Sequence, residues 1–103
     1  MIRFIEIVNQ TTFNPRLKRT SIPSFSMGEV WINEKYVVNV TPAPTYKRLL
    51  KEGQLPADLD IDHEFTSITV NQGNNSKTHI VVGEAAIVAS RLTSLRQKQL
   101  LKG

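Results

Sequence analysis

The chain has 103 residues, 40% of them apolar and 21% charged, with a net charge of +4. That size suits one domain with a modest core. There is no cysteine, which excludes a disulfide, a thiolate metal site and a cysteine nucleophile. No run approaches the roughly 18 apolar residues of a membrane span, and MIRFIEIVNQ lacks the length and cleavage pattern of a signal peptide. The expected location is therefore the cytoplasm, with no membrane partner. The positive balance favours anionic partners such as phosphates or nucleic acid.

Ile2 to Val8 alternates as a strand, with Ile2, Phe4 and Val8 on one face and Ile5 and Ile7 on the other. Both faces are partly apolar, which suits an interior or interface position. Residues 9–27 read as a long loop, with Pro15, Pro23 and the basic run Arg16-Leu17-Lys18-Arg19. Glu29–Asn33 and Tyr36–Val40 are rich in β-branched and aromatic residues around a polar turn, and predict a hairpin. Pro42 and Pro44 end its second strand. Thr45 then caps a short helix over 45–52, and Gly53 stops it.

Leu55 to Asp62 reads as an acidic connector. Glu64 to Val70 alternates again, with Phe65, Ser67 and Thr69 on one face and Thr66, Ile68 and Val70 on the other. The turn Asn71-Gln72-Gly73-Asn74-Asn75 joins this strand to Thr78–Val82, which predicts a second hairpin. Gly83 breaks the chain. A helix follows over 84–100, with Val88, Leu92 and Leu95 as its buried stripe. The sum is an α+β fold: a five-stranded antiparallel sheet from a lead strand and two hairpins, with a short and a C-terminal helix.

Catalytic chemistry is sparse. Asp58, Asp60 and Asp62 open like a calcium-binding loop, but His63 and Thr69 stand where Gly and Glu are required. The string reads instead as a solvated acidic approach to a strand. His63 and His79 are the only histidines, too few for a zinc site without further close ligands. His79 reads as a half-exposed strand residue. No phosphate-binding loop, dinucleotide fingerprint or nucleophile elbow is present. No catalytic residue, cofactor or metal is expected. Trp31 and Tyr36 read as packing residues, with stacking on nucleic acid as the competing reading. Phe65 has Ser67 and Thr69 as company on its face; it covers a ligand or packs under a loop.

Val30-Trp31-Ile32-Asn33-Glu34-Lys35-Tyr36-Val37-Val38-Asn39-Val40, preceded by Phe4-Ile5-Glu6, resembles a phrase shared by FlbD-like flagellar proteins and by phage Thoeris anti-defence proteins of the first type. The later elements favour the second family: Glu64–Val70, the Asn-Gly turn, Ile80-Val81-Val82-Gly83-Glu84 and a basic closing helix. The resemblance covers about residues 28–95 and rests on element order and residue type.

It implies a sponge. Such proteins bind signalling cyclic ADP-ribose isomers, chiefly the glycocyclic form, and some also hold cyclic oligonucleotides. The family's aromatic, asparagine and arginine positions map onto Phe65, Asn75 (or Asn74, one residue of turn register away) and Arg91. A further arginine from earlier in the chain is implied, with Arg16, Arg19 and Arg48 as candidates. The chemistry fits: a guanidinium fork suits phosphate oxygens, an aromatic covers a base, and an amide both donates and accepts. A homodimer or higher homo-oligomer is expected, because a small sheet must hide its edges. The competing readings are a small nucleic-acid-binding protein, motivated by the basic 16–19 run and last helix, and a phage inhibitor of a host protein.

Overall fold

The computed structural model describes the backbone of residues 1–14, 19–56 and 59–102, and the side chains within them apart from 10–24 and 94–102. Five strands and two helices alternate along the chain: β1 (Ile2–Asn14), β2 (Arg19–Ile32), β3 (Val37–Pro42), α1 (Pro44–Lys51), β4 (Phe65–Gln72), β5 (Asn75–Val82) and α2 (Ala85–Lys102). All pairings are antiparallel, in the order β2-β1-β5-β4-β3. The α+β class and the five-stranded sheet agree with the sequence reading, as do the second hairpin and both helices.

Two expectations are corrected. Within the span 9–27, residues 9–14 and 19–27 are strand and not loop. β1 runs on to Asn14 and β2 begins at Arg19, and their register holds from Ile2↔Ile32 to Thr12↔Ile22. The sequence of this stretch is rich in threonine and serine, and Thr favours strands. Pro23 sits opposite Thr11 in β2, a strand with one neighbour only, where a missing N–H is tolerated. The expected hairpin between 29–33 and 36–40 does not form either. β2 pairs with β1 and β3 pairs with β4, so the two stand at opposite ends of the strand order. Between them, Glu34–Tyr36 forms one turn of 3-10 helix, and Asn33 accepts a hydrogen bond from Lys35 N–H at 3.0 Å. The polar turn was legible, but it serves a crossover.

That crossover is short. Four strand spacings of about 4.8 Å separate β2 from β3 in a flat sheet, roughly 19 Å. Five residue steps from Ile32 to Val37 reach at most about 17 Å when fully extended, and less through a helical turn. A flat sheet is therefore excluded, and the sheet curls. Accordingly β1 pairs with β5 only at Glu6↔Val81 and Ile7↔Ile80, and its N-terminal half bends over the β4–β5 hairpin. Phe4 and Ile32 come down on Ile68 and Val81.

α2 lays Val88 and Leu92 into the same core; Leu95 lies outside the described side chains. The opposite face of the sheet builds a second core from Ile7, Leu55 and Phe65, covered by Tyr46, Leu49 and Leu50 of α1. Strand alternation divides the two: Ile68 faces α2 and Phe65 faces α1.

Two glycines shape the joints. Gly53, at φ +75°, ends α1, with Gly53 N–H donating to Leu50 O (3.1 Å) and Gln54 N–H to Leu49 O (3.0 Å). These are the two bonds of a Schellman cap. The expected cap by Thr45 is corrected: α1 has Ala43 at its N-cap without a side-chain bond and Pro44 at its start, where proline's fixed φ is favourable. Gly83, at φ +142°, turns β5 into α2, and a Cβ there would stand 3.0 Å from Val88 Cγ2. Its N–H donates to Glu64 O (2.7 Å), and its carbonyl accepts from Thr66 Oγ1 (2.8 Å). Thr66 has no exposed surface, so this bond satisfies a buried hydroxyl.

Gly83→Ala should destabilise the fold by about 1–3 kcal/mol through backbone strain and the Val88 clash, measured as a fall in urea midpoint at unchanged slope. Glu34 offers a second check. A bond from its own backbone N–H, and then the Met1 ammonium, hold its carboxyl below the ordinary value against the opposing effect of burial. Its Oε2 makes no hydrogen bond and faces that ammonium at 3.5 Å. A depressed folded-state value stabilises above the unfolded carboxyl value of about 4.3. The contribution vanishes as pH falls through the folded value. Glu34→Gln should therefore lower stability at neutral pH and flatten its acid dependence below about pH 4, read from urea midpoints against pH.

Candidate functional site

The residues implied by resemblance do not meet in one hollow of this chain. Phe65 is 3% exposed. It packs with Ile7 and Leu55 beneath α1, with its ring centroid 6.2 Å from that of Tyr46. Its polar face-mates are deceptive because α1 covers only its end of β4. Arg91 is on the other face. Its guanidinium lies 4.5 Å from the centroid of the Phe4 ring and donates to Arg3 O at 2.9 Å. That makes Arg91 a tie between α2 and β1.

Asn75 opens β5 opposite Gln72, and Asn74 sits in the tight turn beside Gly73, at φ +63°. Arg48 is exposed on α1. Arg19 begins β2 with its side chain outside the described residues, and Arg16 lies outside them altogether.

A partly enclosed hollow of about 210 Å³ does form, on the face that holds Ile68. Val70 and Gln72 of β4 and Asn75, Lys77 and His79 of β5 share that face by strand alternation. The opposite wall is Met1, Trp31, Ile32 and Asn33, which reach the hairpin only because the sheet curls. Trp31 is 57% exposed, which corrects its reading as a packing residue. Among the described residues, no carboxylate lines the hollow. Lys77 is exposed and has no acidic partner among the described residues.

His79, by contrast, is buried, and its Nδ1 lies 2.5 Å from Glu6 Oε2. The expectation that it is half-exposed is thus also corrected. The pairing fixes the imidazole from behind, since Glu6 sits beside Val81 on the neighbouring strand.

A smaller hollow of about 130 Å³ is lined by Pro42, Ala43, Pro44, Lys47, Glu64 and Phe65. Lys47 Nζ donates to His63 O at 3.2 Å there. Glu64 at its wall opposes an anion. The acidic string nearby builds a local turn: Asp62 N–H donates to Asp60 Oδ1 (3.2 Å) and Asp60 N–H to His63 Nδ1 (3.1 Å). No group of three potential metal ligands occurs among the described residues, and no described helix is long and apolar enough to cross a membrane.

Sequence reasoning missed Gln72, Lys77 and Asn33. Alternation in the hairpin placed Gln72, Asn75 and Lys77 on one polar face, which was a readable signal. Nothing local announced that Trp31 and Asn33 would face them. Comparison with known protein families, with curated proteins and with solved structures gives no match to this chain.

Arg91→Ala removes a cation–π contact and a charged hydrogen bond. It should cost about 0.5–2 kcal/mol of stability, seen as a lowered thermal midpoint.

Proposed function

We propose that this protein is a binding protein that captures a small anionic nucleotide and holds it chemically intact. In the form its sequence resemblance implies, it is a phage anti-defence sponge that sequesters an immune signalling nucleotide of the glycocyclic ADP-ribose type in the host cytoplasm. The observation that carries the reading is the lining of the larger hollow: among the described residues it has the amides of Asn33, Gln72 and Asn75 and the Lys77 ammonium, and no carboxylate. An amide donates and accepts as base edges and ribose hydroxyls require. An ammonium attracts phosphate.

The same lining argues for binding over catalysis. A histidine fixed by a carboxylate is half of a nucleophile-activating arrangement. None of the described residues lining the hollow carries a hydroxyl or thiol for His79 to activate. Retention without turnover needs no general base, and the sponge role asks for nothing more.

A second reading, binding of single-stranded nucleic acid, draws on the exposed Trp31 beside Lys77 and on the net charge of +4. Its affinity would fall steeply with salt.

The test is equilibrium dialysis against glycocyclic ADP-ribose. Free ligand should fall in proportion to protein added, and heating the protein should return the ligand at its original mass. Ligand that stays free in the presence of excess protein ends the proposal. Ligand returned as a hydrolysis product converts the protein into an enzyme.

A further inference from the structure

One buried ring in the hollow has a nitrogen that the fold leaves over. His79 is 9% exposed, and Glu6 Oε2 holds its Nδ1 at 2.5 Å. Among the described residues, no group bonds to its Nε2. Nor is Nε2 sealed off, since Glu34 Oε2 is the one described side-chain atom that is both enclosed and without a hydrogen bond. Nε2 therefore reaches open space.

The register says which space. Glu6 pairs with Val81, so it lies on the α2 side of His79 along β5. Asn75 and Lys77 lie on the other side, toward the hairpin tip, and share the face of His79 by alternation. Val81 has no exposed surface, and neither has Ile68, directly across from His79. The ring is thus closed on those two sides and open to the hollow of about 210 Å³ that it lines.

The pair also sets what Nε2 can do. Which ring nitrogen carries the proton is set by the bond that the other makes. An ionised carboxylate only accepts, so Nδ1–H donates to Glu6, and Nε2 of the neutral ring is left with a lone pair. The lining amides both donate and accept, and Lys77 only donates. Nε2 is the side-chain nitrogen there that only accepts.

Resting on the proposed function for the ligand's identity, we infer that His79 is a recognition residue of the hollow. Its Nε2 accepts a hydrogen bond from a donor on the nucleotide, a sugar hydroxyl or a base amino group, and Glu6 is the positioning residue behind it. A phosphate oxygen is not its partner, because two lone pairs would face each other. The recognised class is a nucleotide that presents such a donor, and one of equal charge without it is bound less well.

Long-range ¹H–¹⁵N correlation spectra of the histidine rings, recorded on the uniformly ¹⁵N-labelled full chain, read this directly. There are two histidines, and the signals that survive in His63→Gln are those of His79. At pH 8, above the ordinary histidine value of about 6.5, the free protein should carry the His79 proton on Nδ1. AMP at millimolar concentration should move the Nε2 resonance, and inorganic phosphate at the same concentration should not. Purine riboside 5′-phosphate lacks the amino group and 2′,3′-dideoxy-AMP lacks the hydroxyls, so the probe that loses the shift identifies the donor.

In parallel, Glu6→Gln offers Nδ1 an amide that can donate, which frees the ring proton to sit on Nε2; a carboxamide behind a catalytic histidine has that effect. Capture of glycocyclic ADP-ribose should weaken about tenfold, with the fold verified by urea midpoint and the tautomer by the ¹⁵N spectrum. A wild-type ring that carries its proton on Nε2, or on both nitrogens, overturns the inference. So does an Nε2 resonance that neither AMP nor the cyclic ligand moves, that inorganic phosphate moves equally, or whose shift survives in both donor-lacking probes. Unaltered capture in a Glu6→Gln chain whose tautomer has changed also overturns it, and leaves the proposed function standing with its site elsewhere. Absence of capture by the wild type ends the proposed function itself, while a donor-dependent shift with AMP would still assign Nε2 its role.

Discussion

The link between Ile32 and Val37 is the constraint on which the rest of this molecule depends. It must carry the chain from one edge of a five-stranded sheet to the other, and it is too short to do so across a flat sheet. Curling removes the difficulty and has two consequences. The apolar faces of β1 and β2 close over β4 and β5, so that Phe4, Ile32, Ile68 and Val81 share one core. At the open end of that closure, where the hairpin tip outruns the core, the polar residues of β4 and β5 face the end of β2 across a gap. The hollow is the unfilled remainder of the curl.

Division of the sheet into two faces explains why Phe65 and Arg91 take structural work. Phe65 and Tyr46 fill the space under α1, with Phe25 edge-on to Tyr46 at 6.2 Å. Arg91 lies against Phe4 and donates to a carbonyl of β1, so the fold holds its guanidinium in place as a tie between α2 and β1. Lys77 differs: its ammonium is exposed and meets no described carboxylate. Three acidic groups elsewhere are already paired, Glu6 with His79, Glu29 with Arg3 at 2.7 Å and Glu34 with the Met1 ammonium.

The edges of the sheet carry their own protection. β3 shifts register between Val37 and Asn39 and ends at Pro42, while β2 has Pro23 within it. A bulge and a proline both disfavour the addition of a further strand. Exposed Val38 and Tyr36 lie beside that shifted register, so the apolar surface at this edge is not offered as a flat ladder. Function is therefore sought in the hollow, where shape and chemistry coincide, and the fold by itself carries none of it.

Period and punctuation were readable in the chain alone. Alternation over 64–70, the Asn-Gly turn and the helical spacing of Val88 and Leu92 specified the second hairpin and α2, because strand and helix periods are local properties of the backbone. Gly53 marked the end of α1 and Gly83 the joint between β5 and α2, because each stands at a φ that other residues avoid. Pairing was decided by the tertiary structure. Whether β2 joined β3 or β1 depended on how far the strands extend: the β1–β2 register runs from Ile2↔Ile32 in to Asn14↔Arg19, and the polar, proline-bearing stretch within it carries too weak an alternation to announce that length. Likewise, Trp31 and Asn33 were legible as an aromatic and an amide, while their place opposite Gln72 and Lys77 arose only when a short link forced the sheet to bend.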